Sequence, residues 1–312
     1  MEELPRDKIL TYNPDTLKAV RYEFNLENPG RLEEAINILE DWIKKQDHFV
    51  KKDFDREYLE RTIVTTKGLV ERAKARMDKL CTFKTLLPNF FQILEEKRHQ
   101  SIAEKLSHAH LPKLTDDHYR VYVLKIHSDE VTASDIFDYY RNLIIISEYM
   151  KAHDYCNGFI LVLDYRDTNV MSLATKLNPS DLRQALAVMM DGYGMRVKGI
   201  HMITPSKMVD ALVTVFKQVL SAKVASRIHV HKSVETLYDY VPKSMLPSEF
   251  DGDGKSLREL HQQWIEVITS EEFTQYLKEM NTATTNEAYR QTDKFNEQYL
   301  GMPGSFRTLS VD

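Results

Sequence analysis

Between residues 119 and 231 short apolar runs alternate with longer amphipathic stretches, and this alternation constrains the fold more than any other feature of the chain. YRVYVLKIH (Tyr119 to His127) is rich in β-branched and aromatic residues and predicts a strand. A helix follows from about Thr132 to His153, with Thr132 or Ser134 as its cap. NGFILVLDY (Asn157 to Tyr165) is an almost unbroken apolar run, the pattern of a buried parallel strand. NPSDLRQALAVMMDGYG opens on an Asn178 or Ser180 cap and closes on glycines, so it predicts a helix. RVKGIHMIT (Arg196 to Thr204) is a third strand, SKMVDALVTVFKQVL a helix, and RIHVH (Arg227 to His231) a fourth strand. Parallel neighbours need a crossover, usually a helix, so the alternation predicts an α/β fold with a mostly parallel β-sheet and flanking helices.

The first 115 residues read as wholly helical. LEEAINILEDWIKKQ repeats Leu32, Ala35, Ile36, Leu39, Trp42 and Ile43 at three- and four-residue steps, behind the breaker Asn28-Pro29-Gly30. A second helix is expected over Glu57 to Leu87, with Leu69, Ala73, Met77 and Leu80 on one face. HLPKLTDDHYR has the proline and aspartates of a linker. The expected organisation is an all-helical N-terminal domain over 1–115, an α/β domain over 116–280 that ends in helices at Ser256–Val267 and Ser270–Met280, and a polar tail over 281–312.

Charge and cysteine content remove several functions. With 42 Lys and Arg against 47 Asp and Glu the net charge is −5, which suits neither DNA nor RNA as a general partner. Cys81 and Cys156 offer neither a disulfide framework nor zinc spacing. The opening MEELPRDKIL lacks the apolar core of a secretory signal, and no run reaches the ~18 apolar residues of a membrane span. A cytoplasmic protein is expected, one that meets membranes only from outside.

Two motifs imitate chemistry. DGDGKS (Asp251 to Ser256) ends like a phosphate loop, but Glu249 stands where the first glycine belongs and Pro247 breaks the strand such a loop follows. It reads as a turn before a helix capped near Ser256. It fails as a calcium loop too, because Lys255 occupies a ligand position. His201, His229 and His231 could pair on a metal, yet no acidic third ligand is evident, and hydrogen-bonded sheet histidines are the favoured reading. Ser147-Glu148 and Asp164 make no nucleophile–base set, so no catalytic residue, metal or cofactor is assigned and the chain is not expected to be an enzyme.

The helix Ser206 to Leu220 has a wider apolar face than a surface helix needs: Met208, Val209, Leu212, Val213, Val215, Phe216, Val219 and Leu220. It reads as an ordinary core helix or, more sharply, as a lid over an apolar cavity that also lies on a bilayer. Arg196, Lys198, Lys223 and Arg227 flank it. Arg196 and Lys198 stand two apart on one strand face, and Lys223 and Arg227 four apart, one helical turn. From spacing alone they are a solvated charge group.

MRVKGIHMITPSKMV, AKVASRIHVH and LYDYVPKSMLPSEFDG together resemble the CRAL-TRIO lipid-binding family, and the resemblance runs to about residue 270. GSFRTLSVD is similar to the tails of its insect members. The resemblance implies a sheet enclosing one apolar ligand, with the helix after the third strand as a mobile gate. In the tocopherol-transfer branch four basic residues beside the gate bind phosphatidylinositol bisphosphate, and Arg196, Lys198, Lys223 and Arg227 stand at the matching positions, with Lys and Arg exchanged at the first two. There are departures. Gly194 replaces a proline, Thr204 an asparagine, Lys232 a glycine, and Asp251-Gly252 a glycine pair. The usual arginine-rich RFLR segment reads ERTIV (Glu60 to Val64), which argues against the usual docking of the two domains, and Met195 replaces an acid, which argues against phosphatidylinositol in the cavity.

The function so implied is a monomeric carrier of one hydrophobic molecule, a retinoid (vitamin A type), tocopherol (vitamin E type), carotenoid or similar isoprenoid, exchanged with phosphoinositide-bearing membranes. The alternative is a phosphoinositide-sensing module that holds a phospholipid. Pocket-lining candidates are Phe159, Leu161, Leu163, Val188, Met189, Tyr193, Ile200, Met202, Val209, Leu212, Val213 and Phe216, with Tyr140 and Ser147 as hydrogen-bond partners for a ligand hydroxyl or aldehyde. Strand parity decides which of these face inward.

Overall fold

Five strands form one sheet, and their spatial order is their order in the chain. They are β1 (Leu106–Leu114), β2 (Tyr119–Ile126), β3 (Gly158–Asp164), β4 (Val197–Ile203) and β5 (Ile228–His231). β1 is antiparallel to β2, and every other neighbouring pair is parallel. The computed structural model describes residues 3–290, so the expected GSFRTLSVD tail lies outside the described residues.

This strand order fixes the layering. Parallel crossovers are right-handed in nearly all proteins, so strands added always on the same side send every crossover to one face. Ahead of the sheet come α1 (Thr16–Glu23), α2 (Pro29–Lys44), α3 (Arg56–Thr65), α4 (Val70–Leu86) and α5 (Glu96–Ala103). The crossovers are α6 (Ala133–His153), α7 (Val170–Lys176), α8 (Pro179–Ala187), α9 (Val209–Val219) and the short α10 (Ala222–Ala225). The opposite face is floored by an irregular segment over 233–257. There the Tyr240 ring lies 4.6 Å from His201, 5.0 Å from His229 and 5.7 Å from His231, and Arg166 stacks over Phe250. α11 (Leu257–Ile268) packs along β1, where the Trp264 indole N–H donates to the His110 carbonyl at 3.0 Å, and α12 (Glu271–Asn281) follows.

Local chemistry sets the boundaries. Thr132 caps α6 in a reciprocal box with Asp135, and Ser256 caps α11 in the same way with Glu259; each cap is worth about 1 kcal/mol. Asn178 caps α8, and Asn28 caps α2 ahead of Pro29. DGDGKS is thus the turn into α11, not a phosphate loop after a strand.

Two expectations need correction. Of the residues read as a linker, HLPKL (110–114) is the second half of β1, so the region before 115 is not wholly helical. β1 is an edge strand, where a proline such as Pro112 is tolerated because one side of the strand needs no partner. The helix expected over Glu57 to Leu87 is two helices, α3 and α4, broken at Lys67-Gly68, where both residues take positive φ. α2, α3 and α4 enclose a core of their own around Leu39, Ile43, Leu59, Ile63, Ala73 and Met77, which Met280 and Ala283 complete from the far end of the chain. Among the described residues no helix is long and apolar enough to cross a membrane.

Candidate functional site

An apolar cavity of about 120 Å³ lies between the sheet and its crossover helices. Strand parity builds its floor. Tyr122, Leu124 and Ile126 of β2 alternate onto one face, and register places Leu161 of β3 beside Tyr122 and Leu163 beside Leu124. Between β3 and β4 the register slips by one residue at Lys198, since Phe159 pairs with Val197 but Ile160 with Gly199. This bulge brings Val197 and Ile200 onto the cavity side together. The walls are Ile136, Tyr139, Tyr140, Leu143 and Ser147 of α6, Leu173 and Leu177 at α7, Leu182 and Leu186 of α8, and Met189, Met190 and Met195 around a π-turn over Val188–Gly192. Phe216 of α9 and Leu220 just past its end close the remaining side.

No lining side chain carries a full charge. The polar groups are few and neutral. Burial pushes the His110 imidazole down to about 3, and its Nδ1 has no partner. Burial raises the Tyr140 phenol, and that hydroxyl is also unpartnered. The Tyr122 and Tyr139 hydroxyls bond to each other at 2.7 Å, and Ser147 Oγ donates to the Leu143 carbonyl at 2.7 Å.

Of the residues expected at a pocket, Tyr140, Ser147, Leu161, Leu163, Met189, Ile200 and Phe216 line this cavity. Phe159 and Tyr193 line a second, smaller cavity instead. Val188, Met202 and Leu212 are wholly enclosed by neighbouring side chains, and Val209 and Val213 pack into the core around α9 without reaching the cavity. Sequence reasoning missed Leu106 and His110 because β1 was not seen as a strand; it also missed Tyr122, Leu124 and Ile126, although their period-two spacing was visible in YRVYVLKI.

Three of the four expected cations, Arg196, Lys198 and Arg227, gather near the start of β4. Lys198 Nζ sits over the Tyr119 ring at 4.7 Å, and the Arg196 guanidinium over Phe24 at 4.5 Å. Arg227 donates to the Val197 carbonyl. Burial lowers Lys198, and Arg196, Arg227 and Lys67 push it the same way by repulsion, so these four charges share one neighbourhood. Lys67, from the turn between α3 and α4, was not anticipated. Lys223 is exposed on α10. His201 Nδ1 and His231 Nε2 share a hydrogen bond at 2.9 Å, and His231 Nδ1 meets Thr236 Oγ1 at 2.8 Å, a chain of sheet histidines on the face away from the cavity. Among the described residues no group of three potential ligands is placed to hold a metal ion.

Residues 105–252, which contain the whole sheet and the floor beneath it, match the model of the CRAL/TRIO domain. Over this stretch the chain is similar to the CRAL-TRIO family. Clavesin-2 of Rattus norvegicus is 26% identical over 256 residues, covering 77% of this chain and 74% of the relative. Alpha-tocopherol transfer protein-like of Mus musculus is 21% identical over 259 residues, covering 81% and 74%. The solved structure "Crystal structure of Sfh5" aligns with a TM-score of 0.40 at 11% identity over 86% of this chain and 100% of that one. Where ERTIV replaces the family's arginine-rich segment, the α3 helix still docks on α6: the Lys151 ammonium donates to Thr62 Oγ1, and Arg21, Glu60 and Tyr155 form a second link.

Proposed function

We propose that this protein is a cytoplasmic, monomeric carrier, not an enzyme, for one hydrophobic small molecule of the retinoid, tocopherol or carotenoid kind, and that α9 is the gate through which the molecule passes. The observation that carries this reading is an apolar cavity with no charged wall residue, closed on one side by the half-buried Phe216 and Leu220. At about 120 Å³ the cavity matches one that holds benzene, ~150 Å³, rather than an isoprenoid. Loading therefore requires α9 and the methionine-lined wall to move outward. Met189, Met190 and Met195 suit this, because unbranched thioether chains repack at little cost. Burying roughly 400 Å² of ligand at about 25 cal/mol/Å² contributes on the order of 10 kcal/mol before the costs of association, enough to hold a water-insoluble molecule and to make its release slow. A bilayer lowers that barrier by offering the α9 face an apolar surface in exchange for the cavity.

In this reading Lys198, Lys223 and Arg227, joined by Lys67 and the partly covered Arg196, steer the gate to an anionic leaflet that bears phosphoinositide. Organic extraction of the purified protein followed by mass spectrometry tests the cargo: one isoprenoid species supports the carrier, and a phospholipid mixture supports a phosphoinositide-sensing module instead. Replacing Lys198→Glu and Lys223→Glu together should weaken sedimentation with bisphosphate-bearing liposomes by roughly tenfold or more, at about 1 kcal/mol per basic residue, while retinol loading is retained. Liposome binding equal to that of the native chain removes these cations from the account.

A further inference from the structure

A second cavity, with about 50 Å³ of free volume, lies behind the first, and the two share Ser147 and Met195 as a common wall. Its lining is of the opposite kind. Arg61 of α3, Lys151 of α6 and Arg196 before β4 all border it. Arg76 of α4 reaches the same wall, since its Nη1 lies so near Gly194 that a methyl group there would sit 2.5 Å from it. Gly194 takes φ +83, a conformation closed to the proline usual at this position.

These cations lack counter-charges. Arg61 is 4% exposed; its Nε has no partner, and its one carboxylate, Glu57 at 3.3 Å, is half in solvent. Arg76 Nε and Nη1 are buried without partners. Lys151 is 5% exposed and bonds only a neutral hydroxyl, Thr62 Oγ1. Of the nearby carboxylates, Asp154 is committed to Arg120 at 2.7 Å, and Glu148 holds Lys84 at 3.0 Å through Oε2 while its Oε1 is unpartnered and only partly offsets Lys151. Burying cations without counter-ions is expensive, and so is leaving their donors unmade. Lys151 and Arg76 are both held below their ordinary values, burial first and repulsion second, from Arg76 on Lys151 and from Arg196 on Arg76. A free volume above one water's share of ~30 Å³, ringed by unmade donors, has the chemistry of a site whose ligand is an oxyanion.

We propose that the chamber bounded by Arg61, Arg76, Lys151 and Arg196 binds a carboxylate or phosphate group, held by charge-assisted hydrogen bonds from Arg61, Arg76 and Lys151. The shared Ser147–Met195 wall places that group at the end of the apolar cavity, so the same chemistry arises from a free anion or from the acidic head of a lipid whose chain fills the cavity. The lipid-borne source rests on the carrier reading; the free anion does not.

The test measures thermal midpoints of the native chain and of Lys151→Met and Arg76→Gln, at constant ionic strength, with inorganic phosphate, acetate, oleate and oleyl alcohol. Lys151→Met removes the buried cation at similar side-chain length, and each variant's own midpoint without ligand reports whether it folds. A saturable rise with phosphate or acetate in the native chain, weakened about tenfold or more in both variants, establishes a free-anion site. A preference for oleate over oleyl alcohol that both variants lose establishes a lipid-borne head. Phosphate binding with neither oleate nor oleyl alcohol bound keeps the chamber and removes the carrier. Oleyl alcohol and oleate bound equally, with no response to phosphate or acetate, overturns the chamber and leaves the carrier standing; a response unchanged in both variants overturns it as well.

Discussion

Two cavities meet at Ser147 and Met195, and they are built from opposite materials. The larger is floored by alternate residues of β1 to β4 and roofed by the crossover helices, with His110, Ser147 and a few tyrosines as its polar groups. The smaller lies where α3 and α4 dock on α6 and gathers arginines and a lysine that are short of partners. The difference teaches where each kind of surface arises. A one-sided α/β layer makes an apolar hollow by geometry alone, because helices arriving at one face cannot fill every gap above a twisted sheet. The charged chamber comes from a contact between separately packed cores, where long side chains are trapped as the two surfaces close.

Acid should separate the two regions most strongly. His99, His108, His110 and His261 cluster on the cavity side, and burial lowers all four, His99 and His261 to about 4 and His110 to about 3. Depressed values mean that the unfolded chain binds these protons first. Their stabilisation is therefore complete above the ordinary histidine value near 6.5 and is lost as pH falls through 4 toward 3, by at most roughly 1.4 kcal/mol per pH unit for each group. Lys151 follows the same sign in a different window, losing stability as pH falls below the ordinary lysine value of 10.5. Thermal midpoints from pH 4 to 10 should show a steep acid limb and a separate gentle rise on the alkaline side, and Lys151→Met should abolish only the rise. A profile flat below pH 6 would mean that the histidines are solvated.

Next in size is Glu148→Gln. It strands Lys84, which is 1% exposed and otherwise bonds only the Met280 carbonyl, so urea denaturation should show a loss of about 3–5 kcal/mol. The apolar side divides into rigid and tolerant parts. Leu212→Ala empties a fully enclosed anchor of α9 and should cost about 2–5 kcal/mol, whereas Met190→Leu in the adaptable wall should cost under about 1.5 kcal/mol. Equal costs would show that the wall is packed as tightly as the anchor.

The sheet was readable wherever periodicity was clean. β2 to β5, α6, α8 and α9 fall where the apolar spacing puts them, and the cap choices at Thr132 and Asn178 were among those considered. β1 was hidden because an edge strand is free to carry Pro112 and Lys113 and so imitates a linker. The break between α3 and α4 was marked only by Gly68 inside an otherwise helical pattern. Pocket residues were legible as apolar but not as inward-facing, since the bulge at Lys198 resets parity halfway through the sheet. The chamber was invisible: Arg61 and Arg76 lie on consecutive helices and Lys151 on a distant one, and each alone looks like a solvated charge.

Strands laid down in chain order have a consequence for synthesis. As the nascent chain leaves the ribosome, β2 to β5 can each dock beside the strand made just before, carrying its helix along. The underside has no such luck in timing, because 233–257 emerges only after the last strand, and the helical core made first waits longest, for Met280 and Ala283 near the end. A ribosome stalled before residue 280 therefore displays a half-covered sheet and an open helical core at once, which makes the unfinished chain a natural client for chaperones.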